Sequence, residues 1–352
     1  MATYTVNYKL KKPAAAEYYN IQDFNDNADT IDSQLKIGEQ AKQLADTLNS
    51  SMTEAQRDIE LLLQRSLISF LIWAPPNTQV RLQQGSLAYS GTVGDTMELT
   101  APVSALGSWQ MVYTYAGKSY AREVRLEHIG QTRILAAPTL SASPWAYIAK
   151  LAAAGLAREA YALGDFKSVE SSLGAYDMQI IGFEHDFLAS PKPGNERAGL
   201  TFQMKSATPA SYAMDSNIYF ANTWEQTNMR TVQLPAILQS MPADLRSVIK
   251  QVNKYTAVTG NNIGRTTKEK LFFFSDYELC GYSKLVNDYC FSRQYEYYRT
   301  VHTPNKNTIY WLRNNISGPN GKENFLVMHT DTLQPGFYRC EGNYGISLGF
   351  CV

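Results

Sequence analysis

The chain has 352 residues, with 32 basic and 32 acidic side chains and a formal net charge of +0. That length leaves room for two or three domains, and the zero balance argues against a dedicated nucleic-acid or anionic-membrane binder, which needs a basic surplus. No long apolar run occurs and the opening MATYTVNYKLKKPAAAEYYN has no apolar core, so the expectation is a soluble chain made in the host cytosol, with no membrane insertion.

Residues 1–35 carry aromatic and Asn/Asp residues in a pattern neither helical nor alternating, broken by Pro13. The stretch YYNIQDFNDNADTIDSQL offers Asp and Asn caps ahead of Ile31 and Leu35, as at a helix entry. From 36 to 70 a helix is predicted, because Ala41, Ala45, Leu48, Met52, Ala55, Ile59 and Leu62 step by four and three in turn, an a/d seam. A helix so polar on its other faces is marginal alone in water. It needs a partner: either its own chain's domain or, more simply, identical copies in a short parallel bundle, read as a homotrimer.

From 71 to 137 the period changes to two. TQVRLQQ, LAYSGTV, TMELTA, WQMVYTYA and SYAREVRLE are separated by turn signals at Gly85, Gly94, Pro102, Gly107 and Gly117, which predicts a small antiparallel β-sandwich. APTLSASP (137–144) reads as a linker, and PWAYIAKLAAAGLAREAYALG after it as an amphipathic helix. LPAILQSMPADLRSVIKQVNKYT (234–256) reads as helical with an interruption near Pro242, and LFFFSDYEL (271–279) as a buried strand leading into a turn. The whole is a multidomain α+β chain: 1–35 an N-terminal segment, 36–70 an oligomerisation helix, 71–137 a sandwich and 138–352 an α+β domain.

Enzyme signatures are missing. There is no G-x-S-x-G, H-E-x-x-H or G-x-G-x-x-G. GNNIGRTT (260–267) is one residue short of a phosphate loop and has Arg265 where that loop needs Lys. Glu184, His185 and Asp186 are neighbours on a strand and so point to opposite faces, which prevents convergence on one metal. Asp276 and Glu278 share a strand face in this reading and, with Asp331, are the candidate carboxylates for polysaccharide cleavage. Cys280, Cys290, Cys340 and Cys351 form no C-x-x-C pair, so they are read as free thiols, or as one or two disulfides after release. No catalytic residue, metal or cofactor is assigned.

Tyrosine occurs 23 times, and the segment 277–344 has a polar-aromatic texture. Tyr289, Tyr295, Tyr297, Tyr298, Tyr310, Tyr338 and Tyr344 are interleaved with Asn305, Asn307, Asn314, Asn315, Asn320, Asn324 and Asn343. Tyrosine gives large, rigid contact area at low entropic cost and Asn gives adaptable hydrogen bonds, the composition of a binding face.

Three pieces resemble known families. YTVNYKLKKPAAAEYYNIQDFNDNADTID resembles the opening of tail-fibre and baseplate-attached proteins of phages infecting Gram-positive and gut bacteria. Residues 74–133, from APPNTQV to GQTR, resemble the Ig-like or transthyretin-like modules of such fibres. The C-terminal 200 residues resemble a phage and bacterial surface domain with the C-type-lectin fold, through ALGD (162–165), IIGFEHD (180–186), TFQMK (201–205), the Trp224 to Met229-Arg230 stretch, LFFFSDYEL (271–279), YWLRNN (310–315) and GISLGFCV (345–352).

Relatives of that last type include receptor-binding tips similar to the major tropism determinant, some of them diversified by a retroelement acting near the 3′ end of the gene. Carried over, the varied positions are Asn314, Asn315, Asn324, Phe325, Val327, His329, Asp331, Tyr338, Arg339, Glu341 and Asn343, with Trp311, Leu312, Phe350 and Cys351 as scaffold. Many relatives have W-L-R-S and end in G-V-x-P-A-F-C-I, whereas this chain has Trp311-Leu312-Arg313-Asn314 and GISLGFCV. Either the terminal segment has drifted or this member is not diversified. Gln334-Pro335-Gly336 lacks the carboxylate of calcium-dependent sugar-binding lectins, so that activity is not implied.

The resemblance implies a virion protein at a tail-fibre tip. Its partners would be a bacterial surface receptor, protein or glycan, and a tail or baseplate protein held through residues 1–35, with no nucleic acid. The receptor-binding candidates are Tyr295, Tyr297, Tyr298 and Tyr344 together with the carried-over positions. A polysaccharide-cleaving tailspike and a purely structural fibre segment are the alternatives.

Overall fold

The protein is described from a computed structural model that covers all residues except 1–2, 15–17, 19, 67, 210–211, 217–222, 257–263, 284–292, 301–302, 305, 318–322, 331 and 333. It is mixed α+β, built mostly of small antiparallel sheets with few helices. Two compact units are distinguished: 1–69 with 102–107 and 126–131, and 70–101, 108–125 and 132–352. No helix among the described residues is long and apolar enough to cross a membrane.

In the first unit, paired strands β1 (Thr3–Tyr4) and β2 (Lys11–Lys12) precede a 46-residue helix, α1 (Ile21–Ser66). The Asn20 side chain accepts the Gln22 amide at 2.9 Å, an N-cap that starts α1 well before position 36. Its first turns hold the β1–β2 hairpin: Lys11 pairs with Asp23 at 2.5 Å, and the Asn27 amide bonds both backbone groups of Lys11 at 2.8 and 2.9 Å. The helix entry expected within YYNIQDFNDNADTIDSQL is thus present from Ile21, and the earlier described residues include a hairpin clipped onto it. Leu48, Met52 and Ile59 of the predicted seam are 59%, 57% and 56% exposed, and Ala41, Ala45 and Ala55 are exposed with them. The side chain of Leu62 lies outside what is described.

The period-two region forms β3 (Ile68–Trp73), β4 (Gln79–Gln84), β5 (Leu87–Thr92), β6 (Glu98–Pro102), β7 (Gly107–Tyr115), β8 (Lys118–Leu126) and β9 (Gly130–Leu135). They make two sheets, β6-β3-β9 and β5-β4-β7-β8. The alternation is followed closely: Val80 and Leu82 of β4 and Trp109 and Met111 of β7 point inward, while Gln79, Arg81 and Gln83 face out. Phe70 meets the Trp109 ring edge-on at 6.4 Å. Each such buried side chain contributes roughly 1.5–3 kcal/mol.

Residues 137–144 are no loose linker. Tyr113 Oη donates to the Ala137 carbonyl at 3.0 Å, Tyr161 Oη bonds Ser143 Oγ at 2.8 Å, and Leu140 and Ser143 are buried. Beyond them come α2 (Trp145–Ala153) and α3 (Ala157–Ala160), two helices where one was expected, because Gly155 takes φ +70° between them. Next follow β10 (Phe166–Ser171), β11 (Gly174–Phe183), β12 (Phe187–Lys192), β13 (Asn195–Arg197) and β14 (Leu200–Met204). After these come a 3₁₀ turn (Trp224–Gln226), a π-helical turn (Met229–Gln233), α4 (Leu234–Ser240) and α5 (Ala243–Val248). The chain continues through β15 (Val252–Thr256), β16 (Arg265–Glu269), β17 (Leu271–Phe272), α6 (Asp276–Cys280), α7 (Glu296–Arg299), β18 (Tyr310–Ser317), β19 (Glu323–Met328), β20 (Pro335–Arg339) and β21 (Gly349–Cys351).

The break at Pro242 falls between α4 and α5 as expected, but 252–256 is strand, not helix: VNKYT buries alternate residues against β16. The segment 271–279 gives only a two-residue strand before α6, whose start Ser275 and Glu278 form a reciprocal capping box. Asp276 and Glu278 therefore sit two apart on a helix and do not share a face.

Sheet β10-β11-β14-β21-β17 packs its apolar side on α2, with Trp145 edge-on to Phe202 at 5.4 Å and to Phe350 at 5.8 Å. Sheets β13-β12-β15-β16 and β18-β19-β20 complete the domain. Cys280, Cys340 and Cys351 are free thiols; Cys290 lies outside the described residues.

Candidate functional site

Strand β18 carries the Trp-Leu-Arg motif and connects a buried ionic cluster to a surface row of rings. Arg313, fully buried, donates from Nη1 to the Phe273 carbonyl and to Glu278 Oε2 at 3.1 Å, and from Nη2 to the Tyr255 carbonyl at 2.8 Å. Lys254 Nζ, also buried, lies 2.5 Å from Glu278 Oε1 and 2.8 Å from Asp186 Oδ1. Asp186 in turn accepts from Thr201 at 2.7 Å and from Tyr295 Oη at 2.9 Å.

Two cations and two carboxylates, all buried, thus neutralise one another. Burial alone would raise the carboxyl pKa values, but Lys254 overrides it at Asp186, and Arg313 with Lys254 at Glu278; both are held below the ordinary carboxylate range. Burial would lower Lys254, and Asp186 with Glu278 reverse that. His185 stacks on the Tyr295 ring at 3.8 Å, and its pKa is lowered chiefly by burial. Every member is spent on an internal partner, so the cluster ties 186, 254, 278, 295 and 313 together rather than offering a reactive group.

Two residues before Arg313 on β18, Trp311 donates from Nε1 to the Tyr212 carbonyl at 2.5 Å and meets Tyr344 edge-on at 4.9 Å. Tyr344 packs on Tyr338 at 4.8 Å, and Tyr338 on His329 at 5.5 Å. His329 can lie there because Gly336 has no Cβ, which would stand 2.2 Å from Nε2. The row runs from fully buried Trp311 to half-buried Tyr344, Tyr338 and His329. Beside it, Asn343 is exposed and Glu341 half-buried; on the opposite sheet face, Phe337 is 40% exposed and exposed Arg339, paired in register with half-buried Asn324, lies 3.6 Å from Glu341.

The predicted face is thereby cut down. His329, Tyr338 and Tyr344 come together, with Asn343 beside Tyr344, whereas Arg339 and its register partner Asn324 point to the opposite face of the β18-β19-β20 sheet from Tyr338 and Phe325. Tyr295, Tyr298, Asn314, Asn315, Phe325 and Val327 are buried and are corrected to core positions. β19 is covered on both sides, so alternation there does not mark an outer face. Tyr298 donates to Gln203 Oε1, and Asn314 Nδ2 to Asp276 Oδ1 at 3.1 Å. Tyr297 is half-buried on α7, which packs on β11 instead. Asp331 lies outside the described residues, as do Tyr289, Asn305 and Asn320. Tyr310, from the same texture, is buried too.

Lys254, Arg313 and Asp186 are the residues whose joint role sequence reasoning missed. A signal was present in YWLRNN, where a charged residue directly follows three large apolar ones in a strand, but its partners are far away in the chain. Compared with family models, curated proteins and solved structures, the chain finds no match in any of the three.

Proposed function

We propose that this chain is a receptor-binding protein at the tip of a phage tail fibre, or of a related contractile particle, adhering non-covalently to a bacterial surface molecule. The observation that carries the reading is the row Tyr344–Tyr338–His329, half-exposed, with exposed Asn343 beside Tyr344, and backed by buried Trp311. Rigid rings on a fixed support with adaptable polar groups at the rim suit recognition. The exposed Leu48–Met52–Ile59 stripe of α1 supports a parallel trimeric coiled coil, and three faces on one particle raise avidity well above that of a single face.

In this reading the seven-stranded region is an Ig- or transthyretin-like spacer, and the C-terminal domain a C-type-lectin-like fold of the retroelement-diversified kind. The cleavage alternative draws little support, because Asp276 and Glu278 are buried and bonded internally. The test is binding of the labelled full chain to a panel of intact gut and Gram-positive bacteria. Selective binding to some strains is expected; binding to none, by folded protein, contradicts the proposal.

A further inference from the structure

A second surface has a different chemistry. Two clefts, about 390 and 380 Å³, share one lining residue, Gln251. The first is bordered by Lys192, Arg197 and Lys250 with no Asp or Glu side chain; the second by Lys268 and Lys270, with Arg230 and Glu269. Arg230 Nε and Trp224 Nε1 both bond Glu269 Oε1, at 2.6 and 3.0 Å, so that carboxylate is neutralised within the wall.

Glu196, next to Arg197 in sequence, accepts the Gly194 amide at 3.0 Å and lines neither cleft. None of Lys192, Arg197, Lys250, Lys268 and Lys270 makes an ion pair with another described residue. In a chain of zero net charge, the four lysines, with Arg197 partly balanced by Asp186 and Glu184, give the two adjoining clefts a positive surplus. Even an α-carboxylate at Val352, which also lines the first cleft, leaves a clear positive surplus.

The positions follow from the strands. In β15–β16, Val252 pairs with Glu269 and Asn253 with Lys268, so exposed Lys268 and Lys270 flank buried Glu269 on the opposite face. Arg197 is fixed, its guanidinium 3.7 Å over the Phe187 ring and bonded to the His185 carbonyl. Ser190 and Asn195 in the first cleft, Thr231 in the second and Gln251 in both add hydrogen-bonding groups suited to hydroxyls. Neither lining contains an aromatic ring, so a base-stacking platform of the kind that holds single-stranded nucleic acid is missing there.

We infer that the joined clefts are a binding track for a linear acidic glycopolymer, a chain of sugar or polyol units carrying phosphate or carboxylate. The inference rests on the adhesion reading for its setting but uses a surface separate from the aromatic row. Such a track captures a repeating polymer with modest affinity per unit and strong dependence on salt.

The test uses the full chain, titrated with poly(glycerol phosphate), with sodium alginate, with neutral dextran and with a poly-thymidylate oligonucleotide, at low and raised salt. Saturable binding to the first or the second is expected, and the arm that binds identifies phosphate or carboxylate. The triple variant Lys192→Gln, Lys250→Gln, Lys268→Gln, with an unchanged melting temperature, should bind about tenfold more weakly. Tyr338→Ala with Asn343→Ala should bind as wild type. No saturable binding to either acidic polymer, equal binding to dextran, tighter binding to the oligonucleotide, or an unaffected triple variant would each overturn the track. Cell attachment that persists while polymer binding is absent would sink this inference and leave the adhesion reading standing.

Discussion

Lys306 offers a sharp quantitative prediction. It lies in the turn that feeds β18, where Asn307 Oδ1 accepts the Ala207 amide at 2.9 Å and Tyr310 Oη donates to the Pro304 carbonyl at 2.7 Å. Its side chain is buried, it pairs with no carboxylate among the described residues, and burial pushes its pKa from 10.5 down to about 7. A drop of that size corresponds to a charge-burial cost of at most about 5 kcal/mol. Below pH 7 the group is protonated in both states and the full cost is present. Between about 7 and 10.5 the unfolded chain holds a proton that the folded chain has released, so stability rises with pH by about 1.4 kcal/mol per unit.

Lys306→Met keeps the length of the stem and removes the charge. Denaturant unfolding of both proteins at pH 6, 8 and 9.5 should show the variant more stable by several kcal/mol at pH 6, with the advantage shrinking steadily at the two higher values. A variant less stable than wild type at pH 6, or a difference that does not change with pH, would refute the assignment of Lys306 as an uncompensated buried cation.

Arg313→Met strips Glu278, the Phe273 and Tyr255 carbonyls and the Thr256 hydroxyl of a donor, and should cost about 3–5 kcal/mol, read by denaturant midpoint. The depressed Asp186 and Glu278 pKa values give stability that is complete above the ordinary carboxylate range and is lost as pH falls through the lower folded values; an acid titration of the melting temperature checks this. Gly199→Ala would place a Cβ 2.5 Å from the Ala152 carbonyl oxygen and, because backbone must move, should cost about 1–3 kcal/mol. Leu48→Asp with Met52→Asp should convert a trimer to a monomer in analytical ultracentrifugation; a wild-type chain that sediments as a monomer would remove the coiled-coil proposal.

Local patterns were legible where they decide the structure. The stepped apolar positions from Ala41 to Leu62 lie in α1, and the alternation in TQVRLQQ is the in–out pattern of β4. The Ser275–Glu278 capping box was readable as S-x-x-E, and it outweighs the apolar LFFF run in ending β17 and starting α6. Other features are non-local. Arg313 meets Glu278 and Tyr255, and Lys254 meets Asp186, only after the sheets are assembled, so no window of sequence contains the cluster. Composition likewise marked 277–344 as Tyr- and Asn-rich without separating Tyr298, bonded inside to Gln203, from Tyr338, standing at the edge strand β20. That separation depends on which strands cover which.

Adhesion through the Tyr338 row is tested most directly by attachment of the full chain to a strain that binds it, compared with Tyr338→Ala, Asn343→Ala and the pair together. Melting temperature and oligomeric state would be measured alongside. Folded variants with wild-type assembly are expected, with attachment weakened singly and abolished in the pair. Undiminished attachment by the folded double variant would contradict adhesion through that row and place the receptor-binding face elsewhere on the molecule.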